Sequence, residues 1–123
     1  LIVKADPKKI SRVFENLISN AINYTEGEAR IVVRAWRSNG NMALSEQQVH
    51  ISVSDNGIGI PAEEVGKIFD RFYRAKNSGI NIKGTGLGLA IVKLICDGHN
   101  AKIMVTSEIG KGTTFEIIMP AVN

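Results

Sequence analysis

Val49-His50-Ile51-Ser52-Val53-Ser54-Asp55-Asn56-Gly57-Ile58-Gly59 is the stretch on which the fold turns. Val49, Ile51 and Val53 alternate with His50, Ser52 and Ser54, the period of a strand with one face buried and one polar. The strand runs straight into a glycine-rich turn at Asp55. Upstream, residues 29–37 are β-rich (Ile31, Val32, Val33, Trp36), and residues 38–47, with Asn39-Gly40-Asn41, read as a polar hairpin loop. Downstream, Pro61 opens a short helix to about Phe69, and residues 74–84 read as a mobile loop without apolar periodicity. A helix from about Leu87 to Asp97 is apolar nearly all round and is expected to be buried. Strands near 101–107 and 113–119 follow, joined at Gly110-Lys111-Gly112 and ended by Pro120. At the front of the chain Asp6-Pro7 starts a helix, Asp as cap and Pro at the first helical position. Ile10, Val13, Phe14, Leu17, Ile18, Ala21 and Ile22 recur at helical spacing to about Tyr24, and Gly27 helps end the helix. These elements predict an α+β two-layer sandwich with helices on one face of the sheet.

The 123 residues suit a single domain, 1–123, large enough to bury a real core. Without an initiator Met, the chain is expected to be a piece of something longer. No apolar run approaches the roughly 18 residues of a membrane span, and no signal peptide is visible. A net charge of +3 is too mild to argue for nucleic acid. The distribution says more: Lys67, Arg71, Arg74, Lys76, Lys83 and Lys93 fall in one stretch with Asp70 the only acid among them, either a solvated surface or a field for an anionic ligand. Cys96, the single cysteine, sits in an apolar run and reads as core rather than as a reactive thiol. A reducing, cytosolic setting is compatible with it.

Three short segments carry chemistry. Asn16 and Asn20 lie one turn apart on the polar side of the first helix and face the same way. Asn disfavours helix interiors, so the pair asks for a reason beyond a solvated face. An amide oxygen can coordinate Mg²⁺, which typically takes few protein ligands plus phosphates. Asp55, at a strand end before Asn56-Gly57-Ile58-Gly59, is an acceptor-only carboxylate suited to an exocyclic amine such as that of adenine. Taken alone, this segment is no more than a tight turn. Gly84-Thr85-Gly86-Leu87-Gly88-Leu89 sets glycines just before a helix start, where free N–H groups and the helix dipole bind phosphate. The pattern is neither a Walker loop nor a dinucleotide fingerprint.

In this order the segments are specific. Asn16-Leu17-Ile18-Ser19-Asn20-Ala21-Ile22-Asn23-Tyr24-Thr25, then Asp55 to Pro61, then Ile68-Phe69-Asp70-Arg71-Phe72-Tyr73-Arg74, then Gly84 to Leu89, then Gly110-Lys111-Gly112-Thr113-Thr114-Phe115 closely resemble the catalytic, ATP-binding domain of sensor histidine kinases. They correspond to its N, G1, F, G2 and G3 boxes, and the likeness runs from Asp6 to Pro120. The resemblance implies the Bergerat fold of the GHKL superfamily: a mixed five-stranded sheet backed by three main helices, with a mobile lid over ATP or ADP. It implies that Asp55 contacts the adenine amine and Gly59 shapes the adenine pocket. Asn20, with Asn16, would hold Mg²⁺ against the phosphates. Gly84, Gly86 and Gly88 would approach the phosphates, Arg74 would supply a cation, and Tyr24 would line the nucleotide. The matched motifs also bring Gly57, Ile60, Thr85, Leu87, Leu89 and Thr113 to the site. Phe69 and Phe72 are either lid anchors or ordinary core aromatics.

The resemblance further implies a protein-histidine kinase that passes the γ-phosphate to a histidine on its own N-terminal dimerisation domain, and from there to a response regulator. The parent would be homodimeric and membrane-anchored with this domain in the cytoplasm, and the fragment monomeric. A neutral Asn16, where hydrolysing relatives carry an acid, cannot act as general base toward water. Glu15, about 100° around the helix, is left to assist a nucleophile from another domain. Asn23 stands where many members have Lys or Arg, a lost phosphate contact that Lys76 or Lys83 would replace, and Asn100-Ala101 replaces a Gly-Gly. His50 and His99 lack the helical setting of a phosphoacceptor, so the isolated chain is not expected to phosphorylate itself. The rival readings are a GHKL-type ATPase or anti-sigma-like serine kinase, and a non-catalytic nucleotide-binding scaffold.

Overall fold

The computed structural model describes residues 1–38, 43, 46–73 and 87–122. Along the chain these form α1 (Pro7–Asn23), β1 (Ile31–Arg37), β2 (Gln48–Asp55), a single 3₁₀ turn (Val65–Lys67), α2 (Gly88–Gly98), β3 (Lys102–Glu108) and β4 (Gly112–Pro120). The strands make one four-stranded sheet in the order β1-β2-β4-β3, with every neighbouring pair antiparallel. The two-layer α+β architecture stands. The mixed five-stranded sheet with three main helices does not: the described residues hold four antiparallel strands and two α-helices. Val3 adds only an isolated antiparallel bridge to Ala121.

Helix α1 begins where Asp6-Pro7 predicts. The Asp6 carboxylate accepts from the backbone N–H groups of Lys8 (3.0 Å) and Lys9 (3.3 Å), satisfying two of the free donors of the first turn. Val13, Leu17 and Ala21, successive turns of one face, are buried. Val13 and Leu17 meet Val53, Phe115, Ile117 and Met119 from the sheet and Val92 and Cys96 from α2, which form the core. Each large apolar side chain buried there contributes on the order of 1.5–3 kcal/mol. Cys96 is fully buried, and burial pushes its thiol above the ordinary range, as expected of a core residue.

Three elements depart from expectation. Helix α2 buries Val92 and Cys96, yet Leu94 is 73% exposed, because a two-layer fold covers only one side of it. The helix expected over 61–69 is a succession of tight turns: the N–H groups of Glu64, Lys67, Asp70 and Tyr73 each bond the carbonyl three residues earlier. Ile68, at 1% exposure, is the point where this segment plugs into the core. Edge strand β1 is open on both faces, with Val32 and Val33 about half exposed. The loops 38–47 and 74–84 lie largely outside the described residues; Ser38 closes the first, its N–H bonding Gln48 O at 2.8 Å. Asn100, standing for a glycine, takes φ 53°, a left-handed conformation that Asn tolerates.

Candidate nucleotide site

A cleft of about 370 Å³ opens between α1, the turns after Pro61, the start of α2 and the ends of β2 and β4. Asn20, Tyr24, Asp55, Gly59, Ile60, Ile68, Tyr73, Leu89 and Thr113 line it, a mainly apolar wall with a few convergent polar groups, the composition of a small-molecule site.

Asp55 is held rather than merely present. Its Oδ1 accepts from Gly57 N–H at 2.8 Å and Thr113 N–H at 3.2 Å. Among the described residues both bonds fall on that oxygen, and the residue lines the cleft. Burial pushes the carboxyl above its ordinary value of 3.8, and the two backbone hydrogen bonds pull the other way without cancelling the rise. The next residue braces the turn from outside: Asn56 Oδ1 accepts from Arg30 N–H (2.7 Å), and its Nδ2 donates to Glu28 O (3.0 Å).

Two glycines are required by contact. Gly59 has φ 77°, and a Cβ there would run into the Glu108 carbonyl; a Cβ at Gly112 would run into the Asp55 carbonyl. The β3–β4 turn is thereby pressed against the Asp55–Gly59 loop, tied by Gly110 N–H to Ile58 O at 2.9 Å. Gly57 fits beneath Tyr24, whose carbonyl accepts from Ile58 N–H at 3.0 Å.

The expected site residues therefore divide. Asn20, Tyr24, Asp55, Gly59, Ile60, Leu89 and Thr113 come together in the cleft. Asn16 does not line it but reaches the start of α2, where its Oδ1 lies 3.3 Å from the place a Cβ on Gly88 would take. Gly57, Leu87 and Gly88 contribute backbone, Leu87 as the cap of α2 and Gly88 as its first residue. Asn23 is not among the lining residues, and Glu15 faces a separate open groove with Ser11, Phe14, Ile18 and Ser19. Arg74, Lys83, Gly84, Thr85 and Gly86, with Lys76, lie outside the described residues.

The aromatic pair separates as well. Phe69 packs edge-on against Phe115, centroids 6.4 Å apart, so it belongs to the core. Phe72 is 69% exposed with φ 63°, a costly conformation for a bulky side chain. Neither histidine is placed for chemistry. His50 stacks on Trp36 on the opposite face of the sheet. His99 Nε2 accepts from Asp6 N–H at 3.0 Å, which puts its proton on Nδ1, 2.8 Å from Ile95 O.

Sequence reasoning missed three residues of this site. Ile68 reads as an ordinary apolar position. Tyr73 closes one wall, and its hydroxyl donates to Glu64 Oε1 at 3.1 Å; burial and the Glu64 carboxylate raise its ionisation well above the ordinary range. Ser107 Oγ accepts from Ile60 N–H at 2.7 Å. Only its place opposite Thr113 in the terminal hairpin hints at it.

Among the described residues no group of three or more His, Cys, Asp or Glu side chains could cage a metal, and no helix is long and apolar enough to cross a membrane. Asn20 places one neutral amide in the cleft.

Residues 5–123 match the family described as histidine kinase-, DNA gyrase B-, and HSP90-like ATPase. The sensor protein kinase WalK of Staphylococcus haemolyticus is 42% identical over 121 residues, covering 98% of this chain and 19% of that protein. The chain thus spans about a fifth of the length of these curated relatives. Among solved structures, the mycobacterial sensor histidine kinase MprB superposes with a TM-score of 0.81 at 29% identity, over 96% of this chain and 76% of that one. The catalytic domain of histidine kinase ThkA does so with a TM-score of 0.73 at 34% identity, over 96% and 71%. With the cleft and its fixed carboxylate, these matches establish that the chain belongs to the histidine kinase-, DNA gyrase B- and HSP90-like ATPase family, as an ATP-binding catalytic domain of the sensor histidine kinase type.

Proposed function

We propose that residues 1–123 are one domain of a longer kinase, holding ATP with Mg²⁺ and delivering the γ-phosphate to a histidine on a separate dimerisation domain, which then passes it to a response regulator. The observation that carries the site assignment is Asp55, a carboxylate that lines the cleft with one oxygen fixed by two backbone N–H groups. Its other oxygen accepts from the adenine 6-amino group, between the walls of Gly59, Ile60, Ile68 and Leu89. Tyr24 and Thr113 complete the base pocket, and Gly57 keeps the loop close.

Asn20 holds Mg²⁺ from within the cleft, and Asn16 assists at the start of α2. The ion supplies positive charge against the phosphates. Leu87 and Gly88 present the backbone of the helix start to the same groups, continuing the Gly84-Thr85-Gly86 segment; Arg74 and Lys83 are the cations of that segment, and Asn23 serves the phosphates only as a neutral donor. An amide does not take a proton from water, so this pair favours transfer over hydrolysis. Glu15, on its open groove, is left to meet the incoming imidazole, whose nitrogen bonds the γ-phosphorus as ADP departs. Membrane anchoring of the parent protein is part of the same reading.

Titration of the chain with ATP and Mg²⁺ tests the base assignment. In Asp55→Asn an amide replaces a charged acceptor, and the expected loss of affinity is about tenfold to a hundredfold. Unchanged affinity would remove Asp55 from the site.

A further inference from the structure

The cleft of the nucleotide-free chain is nearly full. Most of its 370 Å³ is the gaps between atoms and the open mouth, and about 20 Å³ inside it can be entered by a water molecule. That is room for about one water. A purine base does not enter such a space unless a wall moves. Most of the walls are fixed. Asn20 sits within α1 and Tyr24 caps it; the Tyr24 N–H bonds Asn20 O and its carbonyl accepts from Ile58 N–H. Asp55 is held by Gly57 and Thr113. Gly59 has no room for a Cβ beside the Glu108 carbonyl, and Ile60 N–H is tied to Ser107 Oγ. Ile68 is buried in the core, Leu89 belongs to α2 and Thr113 to β4.

Tyr73 is different. It lies in no helix or strand. Among the described residues its polar tethers are one turn bond, from its N–H to Asp70 O at 3.2 Å, and the bond from its hydroxyl to Glu64 Oε1 at 3.1 Å. Its neighbour Phe72 has φ 63°, a costly conformation for a bulky residue, and the Phe72 side chain is largely exposed. A strained residue persists only where its surroundings hold it. Here the hold comes from next door, through the Tyr73 ring in the cleft wall and its hydroxyl on Glu64.

We propose that Tyr73 gates nucleotide entry: in the nucleotide-free chain its ring occupies space that the incoming base needs, and Glu64 is the positioning residue that latches it there. The proposal rests on the reading of this cleft as the nucleotide site. Entry of the nucleotide breaks the Tyr73–Glu64 bond, turns the ring toward solvent and relieves Phe72. The measured affinity is then the intrinsic one reduced by the fraction of chains that stand open. Loosening the latch raises that fraction, so it speeds association and tightens binding. A ring that served as a fixed wall against the base would behave in the opposite way.

Tyr24 and Tyr73 are the only tyrosines in the chain. Fluorotyrosine labelling therefore gives one fluorine resonance for each, assigned with Tyr73→Phe or Tyr24→Phe. Saturation with ATP and Mg²⁺ is expected to enlarge the shift of the Tyr73 resonance between light and heavy water, the mark of exposure. A Tyr73 resonance that stays as protected as before, or becomes more so, would overturn the proposal, as would exposure of Tyr24 in its place. Stopped-flow association of a fluorescently labelled ATP tests the latch, with melting curves to check folding. Glu64→Ala and Tyr73→Phe are each expected to speed association and tighten binding about threefold to tenfold, the scale of one hydrogen bond. The double variant should go no further than either. Glu64→Gln loses the charge but keeps an acceptor, so it is expected to stay at the wild-type rate. A Glu64→Gln as fast as Glu64→Ala would mean relief of charge repulsion alone and would overturn the latch. Unchanged or weaker binding in both Glu64→Ala and Tyr73→Phe would do the same while leaving the nucleotide site intact. A wild-type chain that does not bind ATP would overturn the nucleotide reading itself, and this proposal with it.

Discussion

Asp55 is raised above its ordinary carboxylate value chiefly by burial, so the folded chain holds that proton more tightly than the unfolded chain does. The sign follows from linkage: the stability associated with the protonated form is fully present below the unfolded value near 3.8 and is lost as pH rises through the higher folded value. At neutral pH the nucleotide-free domain therefore carries an ionised group whose burial works against folding. Asp55→Asn, besides weakening ATP binding, is expected to raise the melting temperature of the nucleotide-free chain at pH 7, with the gain shrinking as pH falls toward 3.8. Melting curves across that range would expose the error if the gain grew on acidification. ATP affinity of the wild type should decline on acidification, beginning at a higher pH than an ordinary aspartate would give. Gly88 gives a second prediction. A Cβ there meets Asn16 Oδ1 at 3.3 Å, so Gly88→Ala should push the amide aside. Alanine suits a helix, so stability should change by less than about 1 kcal/mol. The Mg²⁺-dependent part of ATP affinity should fall several-fold, and titrations with and without Mg²⁺ would separate the two effects.

The helices were legible because their signals are local. Asp6-Pro7 and the spacing of Val13, Leu17 and Ala21 fix α1 without any tertiary information, and the alternation around Val49–Val53 fixes β2. What could not be read was set by contacts distant in sequence. The outer face of α2 is apolar at Leu94 but has no second layer to cover it. The segment after Pro61 has apolar residues in plausible helical places, yet Ile68 must reach the core and the backbone settles into three-residue turns. The tie between the helices is equally long-range: His99, just past α2, accepts from the N–H of Asp6, the cap of α1. His99→Ala removes that acceptor and is expected to cost about 1–2 kcal/mol of stability, read as a lower urea midpoint with an unchanged slope. His99→Gln, able to accept at a similar reach, should recover part of it. In the site, the base-end carboxylate and glycines were visible as motifs, whereas Tyr73 and Ser107 act through partners that the linear sequence does not set beside them.

On the scale of the molecule, one face of the sheet carries the helices and the cleft, and among the described residues the other carries neither. Both histidines are engaged in structure, His50 against Trp36 and His99 against α1. The chain alone is therefore expected to bind labelled ATP and to acquire no acid-labile, base-stable phosphate. Label should appear on the acceptor histidine when the parent's dimerisation domain is added, and stoichiometric phosphohistidine on the isolated chain would contradict the assignment. The single tryptophan lies on the face away from the cleft, stacked 5.2 Å from the His50 ring. Its light emission is thus a built-in gauge of sheet integrity that ignores whether a nucleotide is bound. Any variant of the cleft can be checked for folding by fluorescence and for binding by an independent signal, with no crosstalk between the two.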